Sequence, residues 1–184
     1  SARDIPVMAF SVGEAELDAI GDYKTLQNIA GHYAAWNYFQ SVETPENDAF
    51  VAKWQAYRNA PDAVTNDPME AHYIGFNMWV EATTKAGTTD VDAVRKNMYG
   101  LTFPNLTGGV AQMLPNHHLA KPVLIGEIQE DGQFDIISQT AEVPGDAWTD
   151  FLPESQVLVS DWEGLECGMY NTTTKTCVQL KSIY

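Results

Sequence analysis

Asn116-His117-His118-Leu119-Ala120-Lys121-Pro122-Val123-Leu124-Ile125-Gly126-Glu127-Ile128, followed by Gln129-Glu130-Asp131-Gly132-Gln133-Phe134, is the stretch whose reading decides the fold. It begins as a polar loop, runs into an apolar segment, passes a tight turn and resumes. Val123 to Gln129 and Gln133 to Ile137 read as two strands, with Glu130-Asp131-Gly132-Gln133 as the turn between them. Working backward, Gly108-Gly109 precedes a further run, Val110 to Leu114, that also reads as a strand.

The segment before Pro104 has a different character. Ile5 to Phe10 is a continuous apolar run and reads as a strand buried on both faces, as in a parallel sheet. Ser11 is the expected N-cap of the helix that follows, with Glu14 three residues on as in a capping box. Gly31 to Phe39 reads as a strand ending in the turn at Thr44-Pro45. Pro45 opens a helix in which Phe50, Val51, Trp54 and Tyr57 or Arg58 recur at helical spacing. Asn66 and Asp67 precede Pro68 at the start of a longer helix reaching about Lys85 and stopped by Gly87. Its stripe of Tyr73, Phe76, Trp79, Val80 and Thr83 is expected to face the core. Thr88-Thr89-Asp90 caps a shorter helix, closed by Gly100. This alternation of strands and helices argues for an α/β fold with parallel strands, though the strands are too few for a well-covered sheet.

Composition narrows the function. The 184 residues are 45% hydrophobic and 19% charged, as in ordered globular proteins. With 25 acidic and 10 basic residues, the net charge of −15 repels phosphate backbones and anionic membranes, so no nucleic-acid partner is expected. No apolar run is long enough to span a membrane. The two cysteines, Cys167 and Cys177, are separated by a Thr- and Asn-rich loop that can close a disulfide, which would imply an oxidising compartment. The first residue is Ser1, so a leader is expected to have been removed or to be absent.

Catalytic signatures are sparse. There is no phosphate-binding glycine loop, no Gly-x-Ser-x-Gly elbow and no His-Glu-x-x-His helix. His117 and His118 could contribute to a metal site, but adjacent residues on an extended segment point opposite ways. Asp67-Pro68-Met69-Glu70 puts two carboxylates in a first helical turn, where the positive helix end favours them. Asp67 has a capping role as an alternative, and Glu70 can point toward a cleft. Nothing in the sequence positions a second acid for glycosidase-type chemistry. Neither an enzymatic step, a metal nor a cofactor is expected.

Four segments together carry a resemblance. Pro6-Val7-Met8-Ala9-Phe10-Ser11-Val12-Gly13-Glu14-Ala15-Glu16-Leu17, Gly31-His32-Tyr33-Ala34-Ala35-Trp36-Asn37-Tyr38-Phe39-Gln40-Ser41, Thr65-Asn66-Asp67-Pro68-Met69-Glu70-Ala71 with Gly75-Phe76-Asn77-Met78-Trp79, and the opening hairpin stretch occur in the order found in periplasmic solute-binding proteins of urea and short-amide ABC importers. The similarity runs from Ile5 to about Pro153. It implies a type I periplasmic-binding-protein fold, two Rossmann-like α/β lobes joined by hinge crossovers, represented here by its C-terminal part.

On that resemblance, residues 1–35 belong to the second lobe, 36–43 to a hinge crossover, 44–105 to the first lobe and 106–143 to the second lobe again, with 144–184 an extended tail. The missing N-terminal half of the receptor and a membrane permease are the implied partners. The location would be periplasmic or extracellular, with a lipid anchor if the source is a Gram-positive bacterium. The implied ligand contacts are Ser11, Glu14, Tyr38, Asp67, Pro68, Met69 and Glu70. Ser11 stands where amino-acid receptors of this group carry an acid, and a neutral hydroxyl suits an uncharged amide. Urea offers four N–H donors and one carbonyl, so its site must supply several acceptors and a donor; Tyr38 is the expected donor. Branched-chain amino-acid receptors and an amide-sensing regulator of the same fold are the alternatives.

Overall fold

A computed structural model describes residues 5–114, 117–145, 169–171 and 176–178. The chain divides into two compact units, residues 1–145 and 146–184.

In the first unit the described elements are β1 (Met8–Ala9), α1 (Glu14–Ile20), α2 (Tyr23–Ile29), β2 (Tyr33–Trp36), α3 (Pro45–Arg58), α4 (Asp67–Ala86), α5 (Val91–Met98), β3 (Thr102–Pro104), β4 (Val110–Met113), β5 (Leu119–Ala120), β6 (Leu124–Ile128) and β7 (Phe134–Gln139). They build two sheets, one in the order β1-β2-β6-β7 and one in the order β3-β4-β5. Each sheet has its own core. Leu17, Ala34, Phe39, Val42, Leu124, Ile128 and Phe134 pack under the first. Ile74, Met78, Ala82, Val94, Leu101, Ala111 and Met113 pack under the second. Tyr38, Phe50 and Leu106 form a third, smaller cluster beside the segment that leads from β2 to α3.

The hairpin read from the opening stretch is present. β6 and β7 pair antiparallel, with Glu127 opposite Asp135 and Ile128 opposite Phe134. Gly132 lies in the turn at φ 79°, a conformation that favours glycine. Gly126 has a different reason to be glycine: a Cβ there would stand 2.8 Å from Cε2 of Phe39. The absence of a side chain lets the Phe39 ring lie on β6 and stack on Phe134, with ring centroids 4.5 Å apart.

Several expectations are corrected. The strands are mostly antiparallel: among the described strands only β1 and β2 run parallel, and β2 pairs antiparallel with β6. Strand-helix alternation misleads here because the chain builds α3 to β5 before returning to lay β6 beside β2. Ile5 to Phe10 is not a strand buried on both faces. β1 is two residues long, has one neighbour, and leaves Ile5, Val7, Met8 and Phe10 exposed. Ser11 does not cap α1. Gly13 is the N-cap residue, and Glu16 reaches back so that its Oε2 accepts the Gly13 N–H at 2.8 Å.

The two long helices start where their capping residues place them. The Thr44 hydroxyl accepts the Asn47 N–H ahead of Pro45, and the Asn66 side chain accepts the Met69 N–H ahead of Pro68. Asn66 therefore caps α4, and Asp67 is freed for another partner. The buried line of α4 is Glu70, Ile74, Met78 and Ala82; of the expected stripe only Tyr73 packs against the core, while Phe76, Trp79 and Val80 are exposed. Phe76 is 56% exposed and Trp79 41%. These two rings stack on each other, and with Phe50, Trp54 and Tyr57 of α3 the helix walls an open groove of about 1060 Å³. Ile74, Met78 and Ala82 pack with Val94 of α5 and with Leu101, Ala111 and Met113; hydropathy spacing alone does not distinguish the two faces. In the second unit, within the stretch read as an extended tail, β8 (Met169–Asn171) and β9 (Thr176–Val178) pair antiparallel, with Tyr170 opposite Cys177. Cys167 and the Cys177 side chain lie outside the described residues, and with them the expected disulfide.

Candidate functional site

Of the residues expected to contact a ligand, Glu14, Tyr38 and Asp67 meet at the segment 37–40, which leaves β2 and crosses toward α3. This segment has no regular backbone pairing, so its N–H groups need side-chain acceptors. Two carboxylates supply them from different elements. Asp67, at the start of α4, accepts the Asn37 N–H at 2.8 Å and also takes a backbone hydrogen bond from Tyr38. Glu14, at the start of α1, accepts the Gln40 N–H at 2.5 Å. The side chains of the crossover reach outward in turn. Asn37 Nδ2 donates to the Pro122 carbonyl at 2.7 Å, and Gln40 Oε1 accepts the Thr65 N–H at 2.6 Å.

Glu70 completes the cluster one helical turn beyond Asn66. It is fully buried, and its Oε2 accepts a charge-assisted hydrogen bond from Nζ of Lys121, itself 6% exposed. Lys121 enters between β5 and β6, on the segment that Asn37 also grips. Its backbone pairs with Val143, which fixes where the side chain enters. Glu14 Oε2 and Glu70 Oε1 are buried acceptors with no hydrogen-bond partner among the described residues.

The electrostatics follow from burial. Desolvation is the main influence on Glu14 and raises its pKa to about 7, with smaller contributions from the nearby acids Asp67 and Glu16. Glu70 is also raised, chiefly by burial, while the Lys121 ammonium pulls it back. Asp67 is raised by burial and partly restored by Lys121 and its two backbone donors.

The remaining predicted residues divide. Tyr38 is fully buried, but its hydroxyl donates to Asn47 Oδ1 at 2.7 Å and meets Thr65 Oγ1 at 2.7 Å, so it is occupied in this arrangement and serves the crossover. Burial raises its pKa. Ser11 is exposed at the end of the β1 segment. Pro68 is exposed and Met69 half-buried, and both border the aromatic groove. His117 is engaged with Tyr99, its Nε2 2.7 Å from the hydroxyl, and among the described residues no group of three His, Cys, Asp or Glu side chains is arranged to hold a metal.

Sequence reasoning missed Lys121, Asn37, Gln40 and Thr65. For Lys121 a signal was present: a single cation inside Leu119-Ala120-Lys121-Pro122-Val123-Leu124 must be exposed or paired. The other three are ordinary polar residues whose roles come from contacts distant in sequence.

The fold has counterparts among known proteins. Residues 1–154 match the family described as periplasmic binding protein domain. In the solved structures, an amino acid ABC transporter substrate-binding protein from Pseudomonas fluorescens matches with TM-score 0.60 and 24% identity, covering 77% of this chain and 38% of its own. A solute-binding protein of an ABC transporter from R. palustris, in complex with benzoate, matches with TM-score 0.63 and 15% identity, again over 77% of this chain and 38% of its own. A protein of Geobacillus stearothermophilus named limonene hydroxylase is 39% identical over 108 residues, 59% of this chain and 20% of that protein. The chain therefore spans about two fifths of the length of those two structures and a fifth of that relative.

Proposed function

Since the chain belongs to the periplasmic binding protein domain family and carries part of the type I fold, we propose that it is part of an extracytoplasmic receptor that delivers urea or a short amide to an ABC importer. The observation that carries this reading is the density of acceptor oxygen around one crossover. Glu14, Asp67 and Glu70 come from two helices, and Glu14 Oε2 and Glu70 Oε1 have no hydrogen-bond partner among the described residues. A ligand made almost entirely of N–H donors suits such a surface, because each orphaned acceptor it satisfies removes a penalty of about 1–3 kcal/mol. Ligand capture would proceed by closure of two lobes about the crossover, followed by docking on a membrane permease. The remainder of the receptor would supply the other wall of the site. The reading assigns no catalytic step and no cofactor.

An amino-acid receptor is the second reading, since the same carboxylates could hold an ammonium group. Calorimetric titration of the complete receptor with urea, acetamide and leucine separates them. Binding of urea or acetamide without leucine supports the amide receptor, and Ser11→Ala should then weaken it. Binding of leucine alone would transfer the assignment to the second reading, and no binding of any of the three would remove both.

A further inference from the structure

Glu14 is 1% exposed, yet only half of its carboxyl group is satisfied. Oε1 holds the Gln40 N–H, whereas Oε2 has no hydrogen-bond partner among the described residues. The charges acting on it from neighbouring elements are Asp67 at the start of α4 and Glu16 on its own helix, and both are acidic. The Tyr38 hydroxyl, which feels the Glu14 charge, is neutral and bound elsewhere. Lys121 is committed to Glu70. A carboxylate in this position would be a buried negative charge beside two others, with backbone N–H groups as its support. A neutral carboxyl costs far less there.

We propose that the crossover at 37–40 is a proton-coupled latch: Glu14 in its protonated form holds the Gln40 N–H from α1, and movement of the crossover away from α1 hydrates the carboxyl and releases its proton to water. The inference rests on the receptor reading only for its purpose, since a receptor of this kind closes about its crossovers. Burial, which pushes the Glu14 pKa up to about 7, outweighs the backbone donors that favour the charged form. By linkage, the latched state binds the proton more tightly than the released state. The latch is therefore held at acid pH and loosens as pH rises through neutrality.

The test needs no ligand, so its failure would leave the receptor reading intact, and a receptor that binds no amide would leave the latch intact. The chain is labelled with ¹³C at the glutamate side-chain carboxyl, and Glu14 is assigned by its loss in Glu14→Gln. Its titration is followed between about pH 4 and pH 9, together with hydrogen exchange of the Gln40 amide corrected for its intrinsic pH dependence. A Glu14 midpoint well above the ordinary carboxylate range is expected, with Gln40 protection falling at least about tenfold across it, since each pKa unit between the latched and released states is a factor of about ten. In Glu14→Gln the protection should stay level with pH, because the amide keeps an acceptor but cannot ionise. Glu16→Gln provides a second arm: removing a like charge should lower the Glu14 midpoint. An ordinary midpoint near the unperturbed glutamate value would overturn the latch. So would Gln40 protection that changes with pH equally in wild type and Glu14→Gln.

Discussion

Lys121→Met should destabilise the first unit more than any surface substitution, because it strands Glu70. The two side chains are 7% and 0% exposed, so water screens the pair poorly. Glu70 Oε2 has Lys121 as its partner, and Oε1 has none among the described residues. Methionine matches the length of the lysine stem and fills its volume, so the loss is electrostatic. Removing one member of a buried ion pair leaves an uncompensated charge and costs about 3–5 kcal/mol. The variant can reduce that penalty by protonating Glu70, whose pKa burial already raises. The sign follows: a carboxyl raised in the folded state favours folding fully below its unfolded pKa, and that contribution is lost as pH rises through the folded value. The deficit of Lys121→Met should thus be largest above neutrality and shrink toward pH 5. Adding Glu70→Gln should recover most of it, since the amide keeps the shape of the carboxylate without carrying charge. Guanidinium chloride unfolding, followed by tryptophan fluorescence at several pH values, measures all three proteins. A loss below about 1 kcal/mol for the single variant, or a double variant no more stable than the single, would refute the buried-pair account.

Three further outcomes are expected. Wild type should lose about 3 kcal/mol relative to Glu14→Gln between about pH 4.5 and pH 7, the range over which the unfolded chain releases the Glu14 proton and the folded chain retains it; parallel stability–pH curves would count against it. Gly126→Ala should cost about 1–3 kcal/mol in thermal unfolding, because the new methyl meets the Phe39 ring in a packed core. Thr44→Ala should cost about 1–2 kcal/mol, since the hydroxyl both accepts the Asn47 N–H and donates to the Leu106 carbonyl at 2.6 Å; unfolding midpoints unchanged within error would show that the cap contributes little.

What the sequence determined by itself is local. The β6–β7 hairpin, the openings of α3 and α4 at Pro45 and Pro68, and the end of α4 at Gly87 all follow from interactions within a few residues: turn conformation, capping and the fixed φ of proline. Asp67 and Glu70 were legible as site candidates for the same reason, since a first helical turn is visible in the chain. Tertiary structure alone decided what lies far apart in sequence. That β2 pairs with β6 and not with another parallel strand depends on the chain returning after a whole second sheet. That Phe76 and Trp79 face outward while Ile74 and Met78 are buried depends on which neighbour packs against α4, and hydrophobic spacing allows either face. That Tyr38 serves Asn47 and Thr65, that Glu14 holds Gln40, and that Lys121 meets Glu70 from 51 residues away are long-range contacts. Local patterns set which groups need partners; only the folded chain brings those partners within hydrogen-bond distance.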